Sequence, residues 1–323
     1  MFFGSESSRD NFVDLDVPVG VWIVLGVTIV VLLVVDLIRH REAHAPTPRE
    51  AAIESLAWVG CSLGVGVAIG LYFTKDGQGT AAFGEFISAY LIEKSLSVDN
   101  VFVWSILFST MAIPLKYQHR VLFWGVFGAL VLRLVFILVG SALISRFFWL
   151  LVVFGLFLIF TGIRIIRHRE DEGENTSTVG LGLLKRIMPV TDTIDGDHFF
   201  TRVNAKRAAT PLFATLVVVE FTDVIFALDS VPAVLAVSNE PFIVFSSNAF
   251  AILGLRAMYF LLANARERFH YLSHALGAIL VFVGAKMALS HWYHLDTYVS
   301  LGVILAMLLA AIVFSERKSR LAE

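Results

Sequence analysis

Long apolar runs alternate with short polar connections along the chain. An α-helix needs about 20 mainly apolar residues to cross the hydrocarbon core of a bilayer. Nine runs are close to this length or longer, at about residues 19–38, 53–73, 85–110, 121–144, 147–166, 210–237, 242–262, 271–289 and 298–315. The pattern therefore predicts an all-α, polytopic membrane protein with about nine transmembrane helices.

The apolar runs contain an internal repeat. The segments EKSLSVDNV and DVIFALDSV each contain an acid, a second acid six residues later and then a small polar residue. Three segments recur in one order, pairing 93–101 with 223–231, 127–138 with 250–261, and 155–165 with 277–287. Three matches in one order are stronger evidence than a single match between apolar helices. Helices 3–5 are therefore predicted to correspond to helices 6–8.

Because each copy has three helices, an odd number, the two copies must cross the membrane in opposite senses. Inverted repeats of this kind often hold a transporter site near the membrane midplane. We expect one transmembrane domain at 19–315, with repeat A at about 85–166 and repeat B at about 210–289. The connecting loop at about 167–209 is expected to be a linker with a short amphipathic segment.

The distribution of lysine and arginine predicts the orientation. Eighteen of these residues follow odd-numbered helices, whereas three lie on the alternate side. Cytoplasmic loops are enriched in basic residues. We therefore expect residues 1–18 to form an extracytoplasmic segment, and the loop at 167–209 and the tail at 316–323 to be cytoplasmic.

Composition excludes several classes of function. Hydrophobic residues make up 57% of the chain, charged residues make up 16%, and the formal net charge is -2. This balance argues for the bilayer as solvent and against a nucleic-acid partner. Neither an HExxH nor a GxGD motif is present, so the sequence does not indicate an enzyme.

The predicted spans contain acidic residues. A charged residue at mid-span costs about 2.5–3.5 kcal/mol, so these acids require compensation. The acids are Glu93, Asp99, Glu220, Asp223 and Asp229. Internal salt bridges with the bases in the spans are one explanation, and a cation site is the other. Those bases are Lys94, Arg133, Arg256 and Lys286.

Helical spacing separates the possible ligands. Glu93 and Asp99 are six residues apart, so on an unbroken helix they cannot share one ion. Glu93 and Asn100 share a helix face, and so do Asp223 and Ser230. The resulting ligand set consists of oxygen donors, which favour Mn²⁺, Mg²⁺ or Ca²⁺ over Zn²⁺ or Cu⁺.

A break in each acid-bearing helix would bring more of these oxygens together. Pro232 has no N–H and would free the carbonyl of Leu228 beside Asp229, which predicts a kink or unwinding there. The first copy has no matching proline. Local unwinding around Ser95–Ser97 is the corresponding expectation.

Several segments resemble the TerC family of bacterial membrane proteins, and especially its Alx-like branch. They are EKSLSVDNVFVW, VEFTDVIFALDSVPAVLAV, FIVFSSNAFAILGLRAMYFLL and TDTIDGDHFF. The resemblance covers about residues 20–315. The family is named for tellurite resistance, and the resemblance implies export of manganese across the bacterial inner membrane.

The resemblance also implies that residues of helices 3 and 6 hold the ion. These residues are Glu93, Asp99, Asn100, Glu220, Asp223, Asp229 and Ser230. Mn²⁺ would be the transported substrate, protons would be its counter-substrate, and no cofactor is expected. One alternative is a non-transporting membrane scaffold in metal, tellurite or envelope stress. Another is a calcium/proton exchanger of similar architecture.

Overall fold

Among the residues that the structure describes, each of the nine predicted runs coincides with a helix or with two consecutive helices. The structure, a computed structural model, describes residues 12–39, 47–147, 149–167, 189–191, 194–203, 206–262, 271–289 and 297–322. The α-helices in these residues are α1 (Val19–Arg39), α2 (Pro48–Tyr72), α3 (Gly79–Thr110), α4 (Leu115–Arg146), α5 (Leu150–Arg167), α6 (Pro211–Leu235), α7 (Pro241–Leu253), α8 (Leu255–Leu262), α9 (Leu272–Leu289) and α10 (Thr297–Ala322). The seventh predicted run is divided into α7 and α8 at Gly254.

The lengths and surfaces of the helices are those of a membrane protein. Six stretches among the described residues are long and apolar enough to cross a bilayer: Val19–Arg39, Pro48–Asp76, Leu115–Leu143, Pro211–Leu235, Pro241–Leu261 and Tyr298–Lys318. Helices α1 and α10 expose large apolar side chains, whereas α7 is almost wholly buried. Continuous exposed apolar surface of this extent requires lipid around the bundle. The prediction of an all-α, polytopic membrane protein is confirmed.

Local sequence fixes the starts of several helices. Thr47 and Glu50 form a capping box at the start of α2, with the Glu50 carboxylate accepting from the Thr47 N–H at 2.8 Å. Pro48, Pro211 and Pro241 stand in the first turns of α2, α6 and α7. Proline is favoured there because the N–H groups of the first turn have no acceptor within the helix, so proline loses no hydrogen bond.

Helices α5 and α9 pack through two reciprocal glycine contacts. A Cβ atom on Gly155 would lie 2.6 Å from the carbonyl oxygen of Gly284, and one on Gly284 would lie 2.6 Å from that of Gly155. Gly162 and Gly277 approach each other in the same way. Small residues allow such close backbone contact between membrane helices. The pairing order makes α5 and α9 antiparallel.

The other helices of the two repeats form two equivalent pairs. Helices α3 and α7 run parallel, since Glu93 contacts Asn248 and Lys94 contacts Ala251 farther along both helices. Helices α4 and α6 also run parallel, as the contacts of Gly128 with Glu220 and of Gly140 with Leu235 indicate. Exchange of the two repeats converts one pair into the other. The fold therefore has the inverted-topology repeat predicted for helices 3–5 and 6–8, with α3–α5 as one copy and α6–α9 as the other.

The described part of the 167–209 loop docks on the bundle. A hairpin of β1 (Phe200–Val203) and β2 (Lys206–Ala209) precedes α6. Arg120, at the start of α4, forms an ion pair with Asp197 and lies 5.1 Å over the ring of Phe199. The acidic run and the expected amphipathic segment at 168–188 lie outside the described residues.

The expected unwinding of the two acid-bearing helices is absent. Helices α3 and α6 continue through Ser95–Ser97 and Pro232, so neither unwinds at the predicted place. Within α3, the Ser95 hydroxyl bonds the Leu91 carbonyl at 2.5 Å, which keeps that hydroxyl satisfied inside an intact helix. Helix α10 extends to Ala322, so the described part of the 316–323 tail continues this helix.

Candidate metal-ion site

Glu93 lies at the centre of the bundle and is fully buried. Its carboxylate forms an ion pair with Arg133 of α4. It also accepts hydrogen bonds from Asn248 Nδ2 of α7 at 2.9 Å and from Ser97 Oγ of α3 at 3.1 Å. Such a buried carboxylate is stable only because each oxygen has polar partners. These contacts join repeat A to repeat B.

Arg133 is shared among several polar groups. Its Nη1 donates to Asn248 Oδ1 at 3.4 Å, in addition to pairing with Glu93. Its Nε has no hydrogen-bond partner among the described residues, although the side chain is buried. The guanidinium therefore keeps an unused donor in the protein interior.

Asp223 is the repeat counterpart of Glu93 and lies near it. It is 3% exposed, and its carboxylate experiences both the positive charge of Arg133 and the negative charge of Glu93. Its Oδ2 has no hydrogen-bond partner among the described residues. The hydroxyl of Ser230, also buried on α6, is likewise without one. The two repeats thus bring equivalent acids together around one arginine.

Glu220 lies one turn before Asp223 on α6 and is electrostatically coupled to it. Its carboxylate occupies the space beside Gly128 of α4, where any Cβ atom would collide with it. A side chain at this position would require the Glu220 carboxylate to move. Glu220 therefore adds a second carboxyl group on the α6 side of the site.

The remaining predicted ligands are less completely described. Asn100 is buried on α3, seven residues after Glu93 and on the same helix face. Asp99 and Asp229 belong to α3 and α6, but their side chains lie outside the described part of the structure. Their predicted role as ligands stays a prediction.

Two of the intramembrane bases contact groups away from these acids. Lys94 is adjacent to Glu93 in sequence, yet its Nζ donates to the Ala251 carbonyl at 3.3 Å. Arg256, the repeat counterpart of Arg133, pairs with Asp36 of α1 at 2.5 Å. Among the described residues, a salt bridge therefore accounts for Glu93 but for neither Asp223 nor Glu220.

Two features of the site were not predicted from sequence. Asn248 was missed, although a buried amide in an apolar span is itself a signal because it needs a partner. The helix break at Gly254 was missed as well. A Cβ atom on Gly254 would lie 2.9 Å from Lys94 Nζ, so this glycine makes room for the ammonium group.

The arrangement offers oxygen donors and more acidic than basic side chains. Arg133 pairs with Glu93 and attracts Asp223, whereas the charged neighbour of Glu220 is Asp223. Among the described residues, no three His, Cys, Asp or Glu side chains form a ready-made metal centre. A cation at this site would therefore also draw on amide, hydroxyl or water oxygens, and it would compete with Arg133 for Glu93.

The sequence matches the Integral membrane protein TerC family over residues 78–322. It is 47% identical over 302 residues to "Uncharacterized membrane protein STKORF319" of Myxococcus xanthus, covering 93% of both chains. It is 46% identical over 299 residues to "Putative membrane-bound redox modulator Alx" of Escherichia coli (strain K12), covering 91% of this chain and 93% of the relative.

A relative of lower identity aligns over a similar length. An "Uncharacterized membrane protein" of Rickettsia felis is 39% identical over 297 residues, covering 91% of this chain and 96% of its own length. No solved structure matches the chain. With a family match over most of the sequence and full-length relatives of this identity, the chain belongs to the TerC family of integral membrane proteins.

Proposed function

We propose that this protein is a transporter that binds divalent manganese between its two repeats and exports it from the cytoplasm. The proposed ligands are Glu93, Asp99, Asn100, Glu220, Asp223, Asp229 and Ser230. The observation that carries the proposal is the meeting of two repeat-related carboxylates, Glu93 and Asp223, around a single guanidinium.

The charge balance supports a cation as the substrate. Each buried carboxylate is costly in a bilayer, and one guanidinium cannot neutralise both Glu93 and Asp223. A dication would neutralise both. In its absence, Arg133 covers one charge and a proton can cover the other. This balance supports protons as the counter-substrate.

The architecture supports movement of the ion. The site lies where repeat A meets repeat B, and inverted repeats commonly alternate access to such a site. Oxygen ligands limit the ion to a hard dication. Manganese and the outward direction come from the TerC resemblance together with the predicted orientation.

A role in redox balance, as the name of the Alx relatives suggests, would be indirect in this chain. The sequence contains a single cysteine, Cys61. It lies on α2 and is a free thiol. One cysteine provides no dithiol pair for disulfide exchange within the chain. We propose that any redox effect follows from the amount of manganese that the protein moves.

A non-transporting scaffold is the second candidate. It is favoured by the complete set of partners around Glu93, since a carboxylate with an ion pair and two hydrogen bonds can be purely structural. A calcium/proton exchanger shares the oxygen ligands and differs in the ion.

Manganese uptake into everted membrane vesicles tests these functions. Export from the cytoplasm becomes uptake in this orientation, so vesicles with the native protein should accumulate Mn²⁺. Glu93→Gln and Asp223→Asn should reduce uptake to background while the protein remains abundant in the membrane. Asp76→Asn is the matched control, because this exposed carboxylate follows α2 far from the centre.

Each alternative has its own result. Full uptake by inserted Asp223→Asn protein would contradict the site. Absence of uptake by native protein, with acid variants lost from the membrane, would support the scaffold. Abolition of Mn²⁺ uptake by equimolar Ca²⁺ would identify the exchanger.

A further inference from the structure

An amino-terminal segment lies across one end of the helix bundle. Residues 12–18, here called the strap, form no helix or strand. Val13 and Leu15 are nevertheless buried, at 7% and 8% exposure. Asp14 and Asp16 alternate with them and are exposed. The strap therefore packs one apolar side onto the bundle.

Backbone groups of the strap hold two carboxylates of the bundle. The N–H of Val13 donates to Glu85 Oε1 at 2.8 Å, near the start of α3. The N–H of Leu15 donates to Glu240 Oε2 at 3.4 Å, immediately before α7. These hydrogen bonds connect the strap to both repeats.

Gln78 fixes the register of the strap. Its side-chain Oε1 accepts from the Asp14 N–H at 3.2 Å, and its Nε2 donates to the Asp14 carbonyl at 3.0 Å. This two-way pairing has the geometry of a short strand contact. It places the neighbouring N–H groups of Val13 and Leu15 over the two carboxylates.

The strap lies in line with the candidate metal-ion site. Glu85 precedes Glu93 by eight residues, and Glu240 precedes Asn248 by eight. Because α3 and α7 run parallel and Glu93 bonds Asn248, the strap lies about 12 Å along the helices from this site. It covers the end of the bundle that the basic residues predict to be extracytoplasmic.

The Glu85 carboxylate under the strap keeps unused hydrogen-bonding capacity. Glu85 is 2% exposed, and its Oε2 has no hydrogen-bond partner among the described residues. The hydroxyl of Ser238 and the backbone of Val13 stabilise the Glu85 carboxylate. Glu240 repels this carboxylate, and Lys286 of α9 attracts it. Burial raises the pKa of Glu240 above its ordinary value, and Asp14 adds to this rise, against the N–H donors that lower it.

We propose that Glu85 and Glu240 form a second site for a divalent cation, which the strap occupies with its N–H groups in this structure. A cation that leaves Glu93 along α3 and α7 meets these carboxylates next. It can bind them only when Val13 and Leu15 withdraw, so the strap and the cation compete for the same oxygens. This inference rests on the proposed cation function, but the binding is measured without transport.

Hydrogen exchange of the purified full-length protein with and without MnCl₂ tests the competition. Two charge-assisted hydrogen bonds are lost when the strap lifts, so Mn²⁺ should accelerate exchange in a peptide covering 12–18 by about tenfold or more. The hydrogen exchange of a peptide covering 91–100 measures Mn²⁺ binding at the central site in the same sample. No acceleration in the strap would overturn the inference.

Two variants separate this site from the central one. The double variant Glu85→Gln with Glu240→Gln keeps an acceptor oxygen at each position, so the strap should stay protected and become insensitive to Mn²⁺. Glu93→Gln should abolish the response at 91–100 and leave the strap response intact. Persistence of the strap response in the double variant would contradict the second site but not the proposed function. Absence of any response at 91–100 in native protein would contradict the proposed function.

Discussion

At the scale of single residues, the described part of the candidate site is organised by Arg133. The guanidinium pairs with Glu93 and attracts Asp223, so a cation that bound both acids would have to compete with it. Its repeat counterpart, Arg256, instead pairs with Asp36 outside the repeats. The two arginines are equivalent in sequence and differ in role because α1 has no counterpart in the repeat.

Arg133→Gln is expected to destabilise the metal-free protein by about 3–5 kcal/mol, because it leaves a buried carboxylate without its counter-charge. Manganese should then raise the thermal midpoint of this variant more than that of native protein, since the cation replaces the lost guanidinium. Thermal unfolding in detergent, with and without MnCl₂, measures both effects.

Arg256→Gln is the matched control for that experiment. It removes the equivalent arginine and breaks the pair with Asp36, so it should also lower the thermal midpoint. Manganese should not restore its stability, because Asp36 lies outside the proposed ligand set. Equal rescue of both variants would show that Mn²⁺ acts on the fold in general.

At the scale of helices, close glycine packing sets the relation between the two repeats. The contacts of Gly155 with Gly284 and of Gly162 with Gly277 bring the backbones of α5 and α9 together. Contacts of this kind define a single register, since a shift by one residue would place larger side chains between the backbones. The packing of α5 against α9 therefore joins the two repeats at a fixed register.

Gly155→Ala should destabilise the protein by about 1–3 kcal/mol, as expected for overpacking at a closely packed contact. The new methyl group would meet the Gly284 carbonyl and the Ala288 backbone N–H, neither of which can rotate away. Gly26→Ala on α1 is the control, because nothing lies within 4 Å of its added carbon. Equal thermal midpoints for the two variants would contradict this packing.

At the scale of the whole molecule, the described loops and helix ends fall on two opposite faces. Ser141 contacts Asn239, and Tyr298 contacts Thr80, on the face that carries the strap. Arg120 contacts Asp197 on the other face, where α4 begins. This grouping agrees with the alternation of basic and non-basic loops. The loop charges predict that the face of Arg120 is cytoplasmic.

Cysteine labelling tests that orientation. In a Cys61→Ser background, Asp76→Cys should react with a membrane-impermeant maleimide on intact cells, because it is exposed on the strap face. Arg202→Cys, exposed in the hairpin, should react only after the membrane is opened. The reverse pattern would invert the topology and with it the predicted direction of export.

The sequence by itself determined the all-α membrane fold class, the internal repeat and the positions of Glu93 and Asp223 in apolar helices. These features follow from local properties, since helix length, hydropathy and residue spacing are contained in each segment. The repeat also predicted that Glu93 and Asp223 are equivalent. That equivalence is why both lie near one arginine in the folded chain.

Only the tertiary structure decided which polar groups meet. Lys94 is the sequence neighbour of Glu93, yet Arg133 and Asn248 are the groups that bind its carboxylate. The helix break at Gly254 and the seating of the strap on Glu85 also depend on other elements. Which polar groups meet depends on the register of the helices and on the faces that they turn toward each other. Close packing over the whole bundle sets both, so no single segment of sequence contains them.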